Sequence, residues 1–378
     1  MRSEPAHRHV PAPRSGDGGP REIGSEFHWD PGLLTGGAPD RLPDRRELFA
    51  TGCGALLALL RQLRPKGRLH VPSYFCTGVA EALAGCLPVT FYRHLPDGRG
   101  PRWETLRTRP GDVVLAQNLF GWDDPLPWNA WMRANPGIPV VEDHSHDPLG
   151  PWARNSMATY AVASLRKTLP LPDGGLLWSP AGLDLPRPEG PESPGAAQKL
   201  AAMLLKGGWL DGQPVPKESF RALQRQGEGT LLGSAGPVST VTRAVLPLLD
   251  VPGIRAASSR NAHALRDALD GRTGNAVVLG LDWNVVSAPF RVQLVLGSSG
   301  ERDLLAATLA RNGIYAPVHW RQDRAGWWSG DEEAAALADR MITLPVDHRC
   351  SSVDVSRLAE VVTSQVSRES RTGHIIRA

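Results

Sequence analysis

The chain has 378 residues, 41% of them hydrophobic and 21% charged, with a formal net charge of +3, the composition of a globular protein long enough for two domains. The charge is neither large nor placed on a folded face, since many arginines fall in the first 46 residues, and this argues against a nucleic-acid surface. No apolar run approaches the roughly 18 residues of a membrane span. Cys53, Cys76, Cys86 and Cys350 show no CxxC or zinc-finger spacing; with no signal sequence, they point to a reducing cytoplasm.

Residues 1–26 are rich in Pro, Gly, Arg and Ser and nearly free of large apolar side chains. Such a segment buries too little surface to offset the entropy of ordering, so a mobile arm is expected. From residue 44 strands and helices alternate. Asp44 is placed to cap a helix whose apolar face runs through Ala55-Leu56-Leu57-Ala58-Leu59-Leu60 and ends near Gly67. A strand Arg68–Val71, a helix from Pro72 through Ala84 and buried strands Val89–Tyr92, Val113–Ala116, Val140–Glu142 and Ala158–Ala163 follow.

Ser179–Pro194 reads as a Pro/Gly-rich excursion, and a helix resumes over Gly195–Leu205. Helix Ala256–Leu269, strands Val277–Leu281 and Phe290–Leu296, and helices Glu301–Asn312 and Asp354–Val366 then form a smaller unit. The expected fold is α/β. It has an arm and lead-in over 1–43, a large domain over 44–250 with a mostly parallel sheet flanked by helices, and a smaller C-terminal α+β domain over 251–378.

Two consecutive strands end in an acid and an amine. Ile138-Pro139-Val140-Val141-Glu142-Asp143 closes on Asp143, and Tyr160-Ala161-Val162-Ala163-Ser164-Leu165-Arg166-Lys167 closes on Lys167. In a parallel sheet, ligands sit outside the carboxyl ends of the strands. An enzyme using pyridoxal 5'-phosphate (PLP) needs such a pair: the amine holds the aldehyde as a Schiff base, and the carboxylate pairs with the pyridinium nitrogen. Only five lysines, at 66, 167, 199, 206 and 217, compete for the first role against 37 arginines. Ser164 stands three residues before Lys167, where its hydroxyl can bond a phosphate. Thr51-Gly52-Cys53-Gly54 opens a helix, whose N–H groups also suit phosphate, and Asp173-Gly174-Gly175 permits a sharp turn into strand Leu176–Trp178. Each piece has a plainer reading as packing or chance. Ser-x-x-Lys also marks serine β-lactamases, but their SDN and KTG motifs are absent. The cluster Asp143-His144-Ser145-His146-Asp147 could alternatively supply metal ligands.

The order of these motifs resembles the DegT/DnrJ/StrS family of fold-type-I PLP enzymes, the sugar aminotransferases. The matching segments are TGCGAL at 51–56, VPSYFCTGVAEAL at 71–83, LFGW at 119–122, VVEDHSH at 140–146 and SLRKTLPLPDGG at 164–175, with NGIYAPVHW at 312–320 and ITLPVDHRCSSVDV at 342–355 near the C-terminus. The resemblance spans roughly residues 45–365. It implies that Lys167 binds the cofactor and moves protons, that Asp143 partners the pyridine nitrogen, and that His146 lies near the phenolic oxygen. Gly52, Cys53 and Ser164 fall at phosphate-contacting positions, and Cys76 at the position over the ring face.

The chain departs from the family in four places. Cys53 replaces a Thr or Arg, Cys76 replaces an aromatic, the lysine loop is about two residues shorter, and the partner-subunit segment is not recognisable in Gly227–Leu249. The implied protein is a homodimeric aminotransferase carrying an amino group from an amino-acid donor to a keto sugar or related carbonyl substrate, in natural product biosynthesis. The alternatives are another PLP reaction (elimination or dehydration, racemisation, substitution on an amino acid), a non-catalytic relative, or a metal-dependent hydrolase.

Overall fold

A computed structural model describes residues 21–35, 42–280 and 290–375, with side chains to residue 367. After strand β1 (Ile23–Gly24), the first unit contains β2 (Arg46–Phe49), helix α1 (Gly52–Leu63), β3 (Leu69–Pro72), α2 (Thr77–Ala84), β4 (Val89–Tyr92) and β5 (Val113–Gln117). It continues with α3 (Pro125–Ala134), β6 (Val140–Asp143), α4 (Pro151–Arg154), β7 (Tyr160–Ser164), β8 (Gly175–Trp178), α5 (Pro194–Leu210), α6 (Lys217–Leu231) and α7 (Thr240–Val245). The second holds α8 (Val251–Leu269), β9 (Val277–Val278), β10 (Arg291–Val295), α9 (Ser299–Arg311), β11 (Ile314–Tyr315), α10 (Glu332–Arg340), β12 (Met341–Pro345) and α11 (Ser352–Ile375).

Seven strands form one sheet in the order β2-β8-β7-β6-β5-β3-β4. Strands β3 to β7 run parallel, and β8 is antiparallel to both β7 and β2. Successive side chains of a strand point to opposite faces, and here both faces are apolar. Val113, Leu115 and Val162 enter the core that α1 covers, whereas Val114, Ala116, Ala161 and Ala163 enter two cores on the other side. Strands buried on both faces read as continuous apolar runs, which is why the sequence exposes them well. The C-terminal unit is smaller, with a β12-β10-β9 antiparallel sheet. Val292, Leu294 and Ile342 of that sheet pack on Leu265, Leu305 and Leu358 of α8, α9 and α11.

Three expectations need correction. Asp44 caps no helix: β2 lies over Arg46–Phe49, pairing antiparallel with β8, and α1 starts later with Thr51 Oγ1 accepting the Gly54 N–H at 2.9 Å. Tertiary pairing overrides the local helical pattern there. Residues 21–26 are no mobile arm; 1–20 lie outside the described residues. Ile23 and Gly24 pair with Ile314 and Tyr315, and Glu22 sits between the ammonium groups of Lys206 at 2.9 Å and Lys217 at 2.7 Å. The strand expected over Val277–Leu281 reaches only Val278 among the described residues, and Leu281 lies outside them.

The lead-in segment makes the fold sensitive to acid. Burial, reinforced by Arg349 and Lys206, pushes His28 down to about 3, and burial takes His348 to about 4. Both are neutral in the fold but take up a proton near 6.5 once unfolded. Their stabilisation is therefore complete above that pH and declines as pH falls toward 4. At pH 5 the loss is roughly 1–2 kcal/mol per histidine. Glu22, held at about 2 by Lys206 and Lys217 against the opposing effect of burial, adds its own loss only below about 4.5. Thermal melts should show a midpoint several degrees lower at pH 5 than at pH 7, and an unchanged midpoint would contradict this account.

Candidate active site

Gln117, Asp143 and Ser164 are the last residues of β5, β6 and β7. Their side chains gather at the carboxyl edge of the parallel strands, with Gln117 in register with Asp143. The first turn of α1 closes on the same edge. A Cβ on Gly52 would come within 3.3 Å of Ser164 Cβ, and one on Gly54 within 1.8 Å of the Ser234 carbonyl. With no acid in that turn, the helix start offers N–H groups and a positive dipole end.

Asp143 is 8% exposed. Its Oδ1 accepts the Ser145 N–H at 2.8 Å, and Ser145 Oγ in turn accepts the Ser164 N–H at 2.9 Å. Among the described residues no cation pairs with this carboxylate. Lys167 lies in a short 3-10 turn after β7, and its amine has no hydrogen-bond or ion-pair partner among the described residues. The amines of α5 and α6 are engaged: Lys199 with Glu26 and Glu228, Lys206 with Glu22, and Lys217 with Glu22 and Tyr315.

The turn after Lys167 is pinned by the buried Asp173, which accepts from Ser239 N–H and Oγ at 2.7 Å each and from the Thr242 hydroxyl. A Cβ on Gly175 would meet the Thr51 carbonyl at 2.1 Å, so only glycine lets β8 start against α1.

Lys167, Asp143, Ser164, Gly52, Cys53 and Cys76 all line one cavity of about 130 Å³. Burial pushes the Cys53 thiol up to about 11, so it remains protonated and its backbone N–H is the group offered to an anion. His146 does not line this cavity. Its ring lies parallel to Phe120 at 5.3 Å and to Trp320 at 5.8 Å. Its Nδ1 accepts the N–H of Phe120, a residue held at φ 53. Burial first, then Lys167 and Arg291, keep His146 neutral.

The metal reading of the same cluster fails geometrically. His144 turns to Glu142 at 2.9 Å and Asp147 pairs with Arg255, and no group of three metal-ligating side chains occurs among the described residues.

Lys167 and Arg166 also border a second, larger cavity of about 450 Å³. Arg291 faces it, its guanidinium 4.3 Å over the Phe290 ring and donating to His319 Nε2 at 3.0 Å. Burial lowers Arg291 only to about 10, so it stays charged, and no carboxylate bonds it among the described residues. His319, kept neutral by burial, accepts from Arg291 at Nε2 and so donates from Nδ1 to Thr343 Oγ1 at 2.9 Å.

The sequence reading passed over four of these residues. Gln117 could have been found as the polar residue ending a buried strand. Trp320, which lines the smaller cavity, closes the segment at 312–320 without standing out in it, and Arg291, from the same C-terminal unit, has no local pattern to mark it. Arg166 stood in plain view beside the lysine.

The arrangement fits PLP. It offers a buried acid without a counter-ion for a pyridinium, a free amine for an aldehyde, and a side-chainless helix start with a hydroxyl for a phosphate. The buried Gln117 Oε1 has no partner either and faces the same space.

No protein-family model matches the chain, and no curated protein matches it. Solved structures do. It is similar to the aminotransferase TlmJ from Streptoalloteichus hindustanus at 17% identity over 86% of each chain, with a TM-score of 0.61. It is similar to the putative sugar aminotransferase Spr1654 from Streptococcus pneumoniae, in its PMP form, at 17% identity over 90% of this chain and 89% of that one, with a TM-score of 0.64. DesI, solved in the presence of its TDP-sugar product, shares 18% over 92% of this chain and 85% of its own, with a TM-score of 0.64. The chain has the fold of these three structures: a mostly parallel seven-stranded sheet flanked by helices, followed by a smaller unit built on an antiparallel sheet.

Proposed function

We propose that the protein is a PLP-dependent aminotransferase that carries an amino group from an amino-acid donor to a keto sugar or a related carbonyl compound. One observation carries this reading: a buried carboxylate, Asp143, and an amine, Lys167, neither with an ion-pair partner among the described residues, share a cavity with the Gly-Cys-Gly start of α1. Bound there, PLP supplies an electron sink for the pair of electrons left when the donor loses its α-proton. Asp143 would keep the pyridine nitrogen protonated. Gly52 and Cys53 N–H groups and the Ser164 hydroxyl would hold the phosphate, and Cys76 would lie at the ring face. Lys167 would hold the cofactor through its aldehyde and, when its amine is free, would move the donor's α-proton. His146 would act from behind Trp320, by keeping the Phe120 turn in place.

Arg291 would clasp the donor's carboxylate. It is charged, half-buried, bonded to no acid among the described residues and held by neutral His319, and its two-pronged donor face suits a carboxylate best. We read the protein further as a cytoplasmic homodimer acting in natural product biosynthesis. Among the described residues no helix is long and apolar enough to cross a membrane.

The alternative PLP reactions, elimination, racemisation or substitution, would use the same lysine and acid. Adding single amino acids to the holoprotein separates the two readings. Transamination converts the bound cofactor to its amine form and releases about one equivalent of 2-oxo acid per site, seen by absorbance and by chromatography. If no amino acid does this, transamination is the wrong reaction.

A further inference from the structure

The phosphate of PLP carries close to two negative charges, and the helix start at Gly52 offers only about half a charge in return. Lys167 and Arg166 are the cationic side chains among those lining the smaller cavity, and Lys167 is committed to the aldehyde. Arg166 stands next to it in sequence and lines the same cavity as Thr51, Gly52, Cys53 and Ser164. Its Nη2 donates to Glu228 Oε1 at 2.6 Å, while its Nε is buried and has no partner among the described residues. The acid that orients it is itself neutralised from the far side: Glu228 Oε2 meets Lys199 Nζ at 2.8 Å, and Lys199 reaches on to Glu26 at 2.8 Å. Although burial opposes it, Arg166 and Lys199 together hold Glu228 down to about 2, so the acid stays ionised and the guanidinium keeps its orientation.

The geometry points to Arg166 as the cation that binds the cofactor's phosphate, with Glu228 and Lys199 as the residues that position it. This rests on the cofactor reading above. It accounts for two departures noted in the sequence. In the shorter lysine loop an arginine comes directly before the lysine and lines the cavity that the phosphate turn also lines. That in-chain cation takes over a contact for which the partner-subunit segment is not recognisable in Gly227–Leu249. Glu228 and the cavity-lining Leu232 and Gly233 belong to that same stretch, which here serves the site of its own chain.

The test compares two ligands that differ only in the phosphate. Full-length protein stripped of cofactor is titrated with PLP and with pyridoxal, and binding is read from absorbance and tryptophan quenching rather than from turnover. Arg166→Gln should weaken PLP binding roughly 10- to 100-fold and leave pyridoxal binding unchanged, the loss of one charged hydrogen-bonding partner. Arg166→Lys, which keeps the charge but not the planar fork, should fall between and guards against a Gln variant that does not fold. Glu228→Gln should lower PLP affinity several-fold with the same indifference to pyridoxal. A PLP-to-pyridoxal ratio equal to the wild type's in the Arg166 variants, or equal losses for both ligands, overturns the assignment. Failure of the wild-type protein to bind PLP at all would instead remove the cofactor reading, and this inference with it.

Discussion

Lys167→Ala is expected to yield a folded protein that no longer fixes the cofactor and transfers amino groups at least roughly 10⁴-fold more slowly. The fold should tolerate the change. The lysine amine bonds nothing in the protein among the described residues, and the turn that carries it is closed by backbone bonds from Thr168 and Leu169 to Leu165 and by Asp173 beyond it. The chemistry should not tolerate it, because one amine both bonds the aldehyde and moves the proton. No other lysine can replace it. Lys199, Lys206 and Lys217 are tied to carboxylates at 2.7–2.9 Å, and Lys66 precedes β3, at the opposite end of the strands from the site. Borohydride treatment of the PLP-loaded protein should bleach its visible band and leave a stable mass increment on the peptide containing Lys167. Lys167→Ala should show neither, with an unchanged thermal midpoint. A modified peptide elsewhere, or a variant that retains activity within tenfold, would sink the assignment.

The parallel strands and the acid–amine pair were legible because both are local. A strand buried on two faces is a short apolar run, and its polar last residue stands out against it: Asp143 after Val140-Val141, Ser164 after Tyr160-Ala161-Val162-Ala163. What stayed hidden depends on contacts distant in sequence. Arg46-Glu47-Leu48-Phe49 reads equally well as a helix start and becomes a strand only because β8 returns beside it. Helix α6 was overlooked since Gly227 and Gly229 interrupt its pattern. Yet a Cβ on Gly227 would meet Lys199 at 2.9 Å and one on Gly195 would meet the Gly227 carbonyl at 2.7 Å, so the glycines record how closely α5 and α6 pack. That packing sets Glu228 and Lys199 behind Arg166. The strands and helices near Ile23, Arg291 and Trp320 reach the site from the C-terminal unit and the lead-in segment, across separations that no periodicity encodes. Nor does the sequence show what surrounds His146, because the Phe120 and Trp320 rings stacked on it come from two other segments.

Asp143→Asn should separate the charge of the acid from its place in the fold. The carboxylate does two things. Oδ1 accepts the Ser145 N–H at 2.8 Å, and Ser145 Oγ then accepts the Ser164 N–H at 2.9 Å, so one oxygen orders the strand ends. An asparagine carbonyl can keep that bond, whereas alanine cannot. The second contribution is the negative charge, unpaired by any cation among the described residues and so available to a protonated pyridine nitrogen. Only the second is lost in Asp143→Asn. Removing one partner of a buried ion pair costs about 3–5 kcal/mol, and each 1.4 kcal/mol is tenfold in rate, so amino transfer should slow by roughly 10²- to 10³-fold. The thermal midpoint of the cofactor-free protein should stay within a degree or two. Asp143→Ala should lose as much activity and also about 1 kcal/mol of stability, because the buried Ser145 N–H is left without an acceptor. Paired measurements of kcat and thermal midpoint decide it. If the Asn variant keeps activity within about threefold of the wild type, the charge is not what the reaction uses. If it loses stability as the Ala variant does, the acid is chiefly a strand-end brace. The expected outcome, activity lost in both and stability lost in Ala alone, would make the negative charge at the end of β6 the feature that turns the buried sheet edge into a cofactor site.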